Sequence, residues 1–310
     1  MGWQIKRGRV DRVAFPPQQI AEVKAVACEP PASEDAPLSR RSIADVHRLV
    51  IERGSCDASL STIVRWLAED AIRPWQYRSW IFPTDPDFAT KAGRILDLYA
   101  GRWDGKLLHP GDCVISADEK PSIQARHRIA QTLAPAAKVP RGQRVEHTYK
   151  RGGALTYLAA WDVRRGRVFG QTALKGGIEP FDALVEQVMR QQPSASAPRV
   201  FWIVDTGSSH RGQRSIDRLQ NRWPNLRLVH TPVHASWVNQ IEIYFSIVQR
   251  KVLTPNDFDS LDQVATRLAA FQTLYNAIAE PFGWHFTRDK LNALLDRLAE
   301  RHPDQLQLAA

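Results

Sequence analysis

Cysteine and long apolar runs are scarce in this sequence of 310 residues. The three cysteines, Cys28, Cys56 and Cys113, are isolated and form no CxxC pair, which argues against a disulfide framework or a cysteine-rich zinc cluster. Apolar runs such as VFWIV at 200–204 are far shorter than the roughly 20 residues that span a bilayer. The basic N-terminus lacks the apolar stretch of a secretory signal. We therefore expect a cytoplasmic protein, associated with the nucleoid and without a membrane partner.

Acidic residues are nearly absent from residues 121–175. This segment holds eleven Lys or Arg residues against two acids, Glu146 and Asp162, and so contains an excess equal to the net charge of +9 of the whole chain. Such a local excess favours binding of a polyanion, of which nucleic acid is the commonest. The candidate phosphate contacts are Arg126, Arg128, Arg141, Arg144, Lys150 and Arg151. A basic face that only keeps the protein soluble is the alternative.

The first 74 residues have the pattern of a small helical domain. Prolines open a helix near residue 16, a second helix follows Ser39 and stops at Gly54, and a third follows after about four residues. Two helices joined by so short a turn are typical of a helix-turn-helix unit that binds DNA, although other small bundles share this outline. The third helix would read the DNA through Ser59, Ser61, Thr62 and Arg65. A short basic arm that could enter a minor groove precedes it and contains Lys6, Arg7 and Arg9.

Strands and helices alternate after a connector at 75–111. Residues 112–300 read as three strands, a helix, a strand, a helix, a strand and a further helix. The segment RVFWIVD at 199–205 is apolar throughout, as expected of a central strand covered on both faces. This order predicts an α/β domain, and it is also the order found in ribonuclease H-like sheets.

Three acids are placed where such a domain carries its chemistry. Asp205 ends the apolar strand and Asp118 follows the strand CVIS, so both should lie at an edge of the sheet. Glu242 borders an apolar stripe formed by Val238, Ile241, Phe245, Val248 and Val252 on one predicted helix. Three carboxylates favour Mg²⁺ or Mn²⁺ and two-metal phosphoryl transfer. Taken alone, Glu242 is more typical of a solvated or salt-bridged helix residue. Zinc is disfavoured, because Pro232 separates His230 from His234.

Five blocks of sequence are specific in wording and order, namely SADEKPSIQA, EHTYKRGGALTYLAAWDVRRGRVFG, WIVDTGSSH, TPVHASWVNQIEIYFSIVQRKVL and YNAIAEPFGWHFT. Together they closely resemble the bacterial insertion-sequence branch of the mariner-like DDE transposases. The resemblance implies a ribonuclease H-like catalytic domain with a mixed five-stranded sheet, preceded by an all-α helix-turn-helix domain. It makes Asp118, Asp205 and Glu242 the catalytic metal ligands for two Mg²⁺ or Mn²⁺ ions. Asn239 matches the asparagine three residues before the glutamate. His210 would support the site through a phosphate or carboxylate, unless it is a surface residue at a helix start.

The same resemblance implies a function on double-stranded DNA. A transposase of this kind cleaves DNA at the terminal inverted repeats of an insertion sequence and joins the 3′ ends to target DNA at a TA dinucleotide, as a homodimer when two ends are synapsed. The family usually has two helix-turn-helix units, and only one is evident here. Two alternatives stay open: a truncated or inactive remnant that binds repeat ends and regulates transposition, and a general ribonuclease H-type nuclease.

Overall fold

The protein consists of two compact units, Met1–Ile81 and Phe82–Ala310, in the computed structural model. The structure describes residues 15–31, 37–76, 83–130, 132–135, 142–207, 210 and 212–301. No helix in these ranges is long and apolar enough to cross a membrane. The boundaries expected from the sequence at residues 74 and 111 remain predictions.

Three helices form the first unit, namely α1 (Pro17–Cys28), α2 (Ile43–Glu52) and α3 (Leu60–Glu69). Ser42 caps α2 by accepting the N–H of Asp45, whose carboxylate accepts the N–H of Ser42 in return. The sequence favoured Ser39 for this role, which is wrong, because only Ser42 adjoins the first helical turn. The cap of α3 is Ser59.

The first unit has its own hydrophobic core, to which all three helices contribute. Val46 and Val50 of α2 and Ile63 and Leu67 of α3 are fully buried. Their spacing of four residues puts one apolar stripe of each helix against the other. The opposite face of α3 is consequently left to solvent.

The second unit is built on a mixed five-stranded sheet. A small hairpin of β1 (Arg102–Trp103) and β2 (Lys106–Leu107) precedes it. The five strands are β3 (Cys113–His127), β4 (Lys150–Asp162), β5 (Arg167–Ala173), β6 (Val200–Val204) and β7 (Leu226–His230). Their order is β5-β4-β3-β6-β7, with β3, β4 and β5 antiparallel and with β6 parallel to both β3 and β7. The predicted mixed sheet is confirmed.

Helices cover both faces of this sheet. They are α4 (Phe88–Tyr99), α5 (Ile178–Met189), α6 (Gln213–Arg222), α7 (Ile241–Lys251), α8 (Leu261–Asn276) and α9 (Arg288–Arg301). Alternate residues of each strand face opposite sides. Phe201 and Ile203 of β6 pack in the core that contains α4, α7 and α8, whereas Trp202 and Val204 pack in the core that contains α5. We call these the α7 face and the α5 face.

Two elements differ from the sequence prediction in ways that affect the site. Strand β3 continues unbroken through its acidic residues to His127 and pairs with β4 from Ile115 to His127, apart from bulges near Ser122 and Ala125. The helix expected to include Val238 begins only at Ile241, after a 3₁₀ turn at Ser236–Val238. Asn239 between them has an extended backbone and does not belong to the helix.

Candidate active site at the carboxyl edge of the sheet

The two aspartates lie side by side because of the parallel register of β3 and β6. Ser116 of β3 pairs with Ile203 of β6. Asp118 and Asp205 each come two residues later, at the carboxyl edge of the central strands. Counting by twos from Val114 and from Ile203, both side chains belong to the α7 face.

Glu242 reaches the same face from the first turn of α7. The neighbouring Ile241, Tyr244 and Phe245 are buried against the sheet, which fixes the helix on the strands below it. Glu242 itself is half-buried. Its place beside the apolar stripe brings it close enough to Asp205 for that charge to affect its pKa.

The charge of Asp205 affects the pKa of both other carboxyls. Burial, and then the charges of Asp205 and Glu242, raise the pKa of Asp118 to about 7. Burial and the charge of Asp205 also raise the pKa of Glu242, while Lys120 opposes that rise. Without a counterion, the site therefore disfavours full ionisation of its carboxyls at neutral pH.

Asp205 differs from the other two carboxyls because it has a histidine partner. His210 is almost fully buried, and its Nε2 contacts Oδ1 of Asp205. The same Oδ1 accepts the N–H of Gly207 at 2.9 Å. The hydrogen bond with His210, followed by that from Gly207, lowers the pKa of Asp205. The ring centroids of His210 and Phe181 lie 4.8 Å apart. The His210 carbonyl lies 2.8 Å from Nε2 of His230. The structure thus places His210 beside a carboxylate of the site, in the interior.

Asn239 bridges β3 and the start of α7 from a fully buried position. Its Nδ2 donates to the carbonyl of Ala117 at 2.9 Å, and its Oδ1 accepts the hydroxyl of Ser116. It touches no carboxylate of the site through these bonds. Its contacts instead join the strand that carries Asp118 to the segment that leads into Glu242.

A cleft of about 410 Å³ opens beside the aspartates. Asp118, Asp205 and His210 line this cleft together with Glu119 and Gly176. A Cβ at Gly176 would come within 2.1 Å of Glu119 Oε2, so any larger residue there would displace that carboxylate. Glu119 follows Asp118 in the strand and belongs to the α5 face, as the alternation of a strand predicts.

The donor chemistry of the site fits a hard divalent cation. Carboxylate oxygens are the ligands preferred by Mg²⁺ and Mn²⁺. Within the described ranges, no three His, Cys, Asp or Glu side chains are already arranged around a common ion position. One oxygen of Asp205 is engaged with His210 and Gly207.

The basic residues of the sequence prediction divide into two groups. Arg144, Lys150 and Arg151 are exposed, and Arg151 pairs with Arg126 across the end of the β3–β4 hairpin. Arg126 and Arg128 are half-buried. Their Cζ atoms lie 4.7 Å and 5.6 Å, respectively, from the centroid of the Tyr149 ring. Arg128 also donates to the carbonyls of Asn256 and Glu146, so part of its hydrogen-bonding capacity is used within the protein. Arg141 lies outside the described residues.

The predicted reading residues of α3 share its solvent side. Ser59, Ser61 and Arg65 are exposed, and Thr62 is half-buried. Ser59 caps the helix, and its hydroxyl lies 3.1 Å from that of Ser61 and 3.0 Å from that of Thr62. Lys6, Arg7 and Arg9 of the predicted arm lie outside the described residues.

Sequence reasoning missed three residues that the structure places at the site. Ser116 is fully buried on the same face of β3 as Asp118, and Tyr99 of α4 contacts the segment that begins α7. Lys120 lies close enough to Glu242 to affect its pKa. Ser116 carried a usable signal, since it is a hydroxyl in the apolar run CVIS, two residues before Asp118. Nothing in the local pattern singles out Tyr99.

Residues 117–265 match a family model described as DDE superfamily endonuclease. This span contains all three carboxylates and Asn239. A comparison with curated proteins found no match.

Similar folds occur among solved structures of the Mos1 transposase. The first, "Crystal structure of a pre-cleavage Mos1 transpososome", is 15% identical, with 92% of this chain and 80% of that chain covered at a TM-score of 0.56. The second, "Crystal structure of the mariner Mos1 paired end complex with Mg", is 14% identical, with 95% and 83% covered at a TM-score of 0.57. At such identities the likeness shows the fold, a ribonuclease H-like DDE domain with a helical region before it.

Proposed function

We propose that the protein is a DNA transposase of the bacterial insertion-sequence branch of the mariner-like DDE superfamily. It cleaves DNA at terminal inverted repeats and joins the freed 3′ ends to target DNA at TA dinucleotides. The observation that carries the proposal is the convergence of Asp118, Asp205 and Glu242 on one face of one sheet edge, with interacting charges. The match of residues 117–265 to DDE superfamily endonucleases supports it.

The three carboxylates would hold two Mg²⁺ or Mn²⁺ ions. Bound ions supply Lewis-acid stabilisation of the charge that develops on the attacking and leaving oxygens of a phosphodiester. Two Mos1 structures are described as paired-end complexes with Mg and with Mn, which supports the choice of metal. Asp118 and Asp205 are set by strand register and Glu242 by the seat of α7. His210 fixes the orientation of Asp205 through Oδ1 and leaves Oδ2 available to a ligand.

Double-stranded DNA is the proposed partner of both units. Arg144, Lys150 and Arg151 form an exposed basic surface, which would contact phosphates and position the duplex without reading its sequence. The exposed start of α3, with Arg65, would read terminal-repeat sequence. Because each strand-transfer event joins two ends, we expect a homodimer on synapsed DNA, acting at the nucleoid.

Cleavage of DNA carrying the element's own terminal repeats tests the proposal. The purified protein with Mg²⁺ or Mn²⁺ should nick this DNA, and Asp205→Asn should reduce the rate by several orders of magnitude while DNA binding persists. Asp217→Asn, an exposed carboxylate on α6, is the matched control and should cut like the parent. Equal cutting by Asp205→Asn and the parent protein would refute the assigned chemistry.

Products and assembly state separate the proposal from its alternatives. A transposase joins 3′ ends to a target plasmid, and sequenced junctions should show duplicated TA. Binding of repeat ends without cleavage in either metal would identify a regulatory DNA-binding protein instead. Cutting of RNA–DNA hybrids without sequence preference would identify a general nuclease. Light scattering of the protein with and without repeat DNA tests the expected dimer.

A further inference from the structure

The start of α7 is capped from outside the helix. The first N–H groups of a helix have no partner within it, and a side chain just ahead usually accepts one of them. At α7 the capping position is occupied by Gln240, whose side chain forms no such bond. The Ile241 N–H instead donates to Ser116 Oγ of β3 at 2.8 Å, and the Gln240 N–H donates to Tyr99 Oη of α4 at 3.1 Å.

Further hydrogen bonds complete this arrangement on both sides of Asn239. The Tyr99 hydroxyl donates to the carbonyl of Val238 at 2.9 Å. Ser116 Oγ donates to Asn239 Oδ1, and Asn239 Nδ2 donates to the carbonyl of Ala117 at 2.9 Å. Three elements of the second unit, α4, β3 and the segment 238–241, thus meet in one hydrogen-bond network.

The position of this network ties it to two of the proposed ligands. Ser116 and Ala117 immediately precede Asp118 in β3, and Ile241 immediately precedes Glu242. Ser116, Asn239 and Ile241 are each at most 1% exposed. Water therefore cannot replace a bond that is lost here, and the segment must move to find new partners.

We propose that Tyr99 and Ser116, together with Asn239, are positioning residues that fix the distance between Asp118 and Glu242. This inference rests on the proposed function of those carboxylates as metal ligands. Among the described residues, the network reaches a ligand through the backbone, where the Asn239 carbonyl accepts the Glu242 N–H at 3.1 Å. It sets the register of α7 on β3, so removal of one hydroxyl lets the first turn of α7 shift while the rest of the helix stays in its core.

Two single-hydroxyl variants and one matched control test the proposal. Tyr99→Phe and Ser116→Ala each remove hydrogen bonds to the start of α7. Tyr157→Phe removes a buried hydroxyl from the same core, whose partners are the side-chain atoms Tyr244 Oη and Gln272 Oε1, each at 3.2 Å, and not the amides of Gln240 or Ile241. All three variants should lose a comparable amount of thermal stability. A difference in metal affinity between them would therefore not result from a difference in stability.

Metal affinity should separate the variants from the control. Loss of a residue that orients a metal ligand typically lowers affinity or activity by about 10–100-fold. Mn²⁺ titration followed by electron paramagnetic resonance should show a Kd about tenfold higher in Tyr99→Phe and Ser116→Ala, and within about twofold of the parent value in Tyr157→Phe. In cleavage assays the Mn²⁺ concentration for half-maximal rate should rise in the same two variants, with much of the rate restored at saturating Mn²⁺. Equal Kd values in Tyr99→Phe and Tyr157→Phe would overturn the proposal.

Amide exchange in the metal-free protein decides the question independently of catalysis. The Gln240 and Ile241 amides should exchange at least tenfold faster in Tyr99→Phe and Ser116→Ala, respectively, than in Tyr157→Phe, while residues 244–248 keep their protection. Unchanged exchange at both amides would also overturn the proposal. A parent protein that binds no Mn²⁺ and cuts no DNA would instead refute the proposed function.

Discussion

Replacement of Asp118 with Asn should stabilise the metal-free protein above neutral pH. Burial, with the charges of Asp205 and Glu242, raises the pKa of Asp118 from 3.8 to about 7. A carboxyl with a raised pKa contributes stability that is fully present below its unfolded pKa and is lost as the pH rises through the folded pKa. The asparagine variant has no such ionisation, so its advantage should grow from about pH 4 and level off above pH 7.

The size of this effect follows from the shift. About three pKa units at 1.36 kcal/mol each set an upper bound of about 4 kcal/mol. Water that reaches the half-buried carboxyl reduces the expected difference to roughly 1–3 kcal/mol. For a unit of this size, about 2 kcal/mol corresponds to a Tm that is higher by roughly 4–8 °C.

Thermal unfolding with a chelator, from pH 5 to pH 8.5, measures the effect. Addition of Mn²⁺ at pH 8 should raise the Tm of the parent protein, because the ion binds only the folded state, and should raise that of Asp118→Asn much less. Asp205→Asn is the control of opposite sign. The hydrogen bond with His210 lowers the pKa of Asp205, so that carboxylate stabilises the fold above its unfolded pKa, and its loss should lower Tm at pH 7. Parallel pH profiles for Asp118→Asn and the parent protein would refute the reasoning.

Three further outcomes are expected. Asp85→Ala should cost about 2–4 kcal/mol in urea unfolding at pH 7, because this buried carboxylate pairs with Lys91 at 2.9 Å and accepts two backbone N–H groups. Burial opposes the ionisation of Asp85, but the hydrogen bonds from Val233 N–H and Lys91 outweigh burial and lower its pKa. The loss of unfolding free energy in Asp85→Ala should therefore shrink as the pH falls through the lowered pKa of the folded state. A loss at pH 3 as large as that at pH 7 would contradict this. Gly170→Ala should cost about 1–3 kcal/mol in thermal unfolding, because the new Cβ would lie 2.4 Å from the Tyr157 hydroxyl, and Tyr157→Phe should restore part of it. The exposed basic surface is removed by combining Arg144→Ala, Lys150→Ala and Arg151→Ala. On duplex DNA this variant should show a slope of log affinity against log salt that is flatter by up to about 3 units, with its sequence preference kept. An unchanged slope would show that the surface serves only solubility.

The sequence alone determined the α/β pattern and the acids that carry the proposed chemistry. Asp205 was identifiable because a wholly apolar run ends on it, and a central strand covered on both faces is one of the few structures that give such a run. The side-chain alternation of β3 likewise predicted that Asp118 and Glu119 point to opposite faces. These are local consequences of backbone geometry, and they hold before any tertiary contact forms.

Only the tertiary structure decided how the acids meet and what holds them. The pairing of Ser116 with Ile203 sets Asp118 beside Asp205, and strand register between distant segments is not encoded in either segment alone. The helical stripe assigned Val238 to α7, but hydroxyls from β3 and α4 satisfy the backbone at Gln240 and Ile241 and so start the helix after Asn239. His210 is drawn into the interior by Asp205 and Phe181, where the sequence left a surface position open. The deciding partners of β3 and of the start of α7 are remote in sequence. That of His210 is Asp205, only five residues away, but the position of Asp205 is itself set by the sheet.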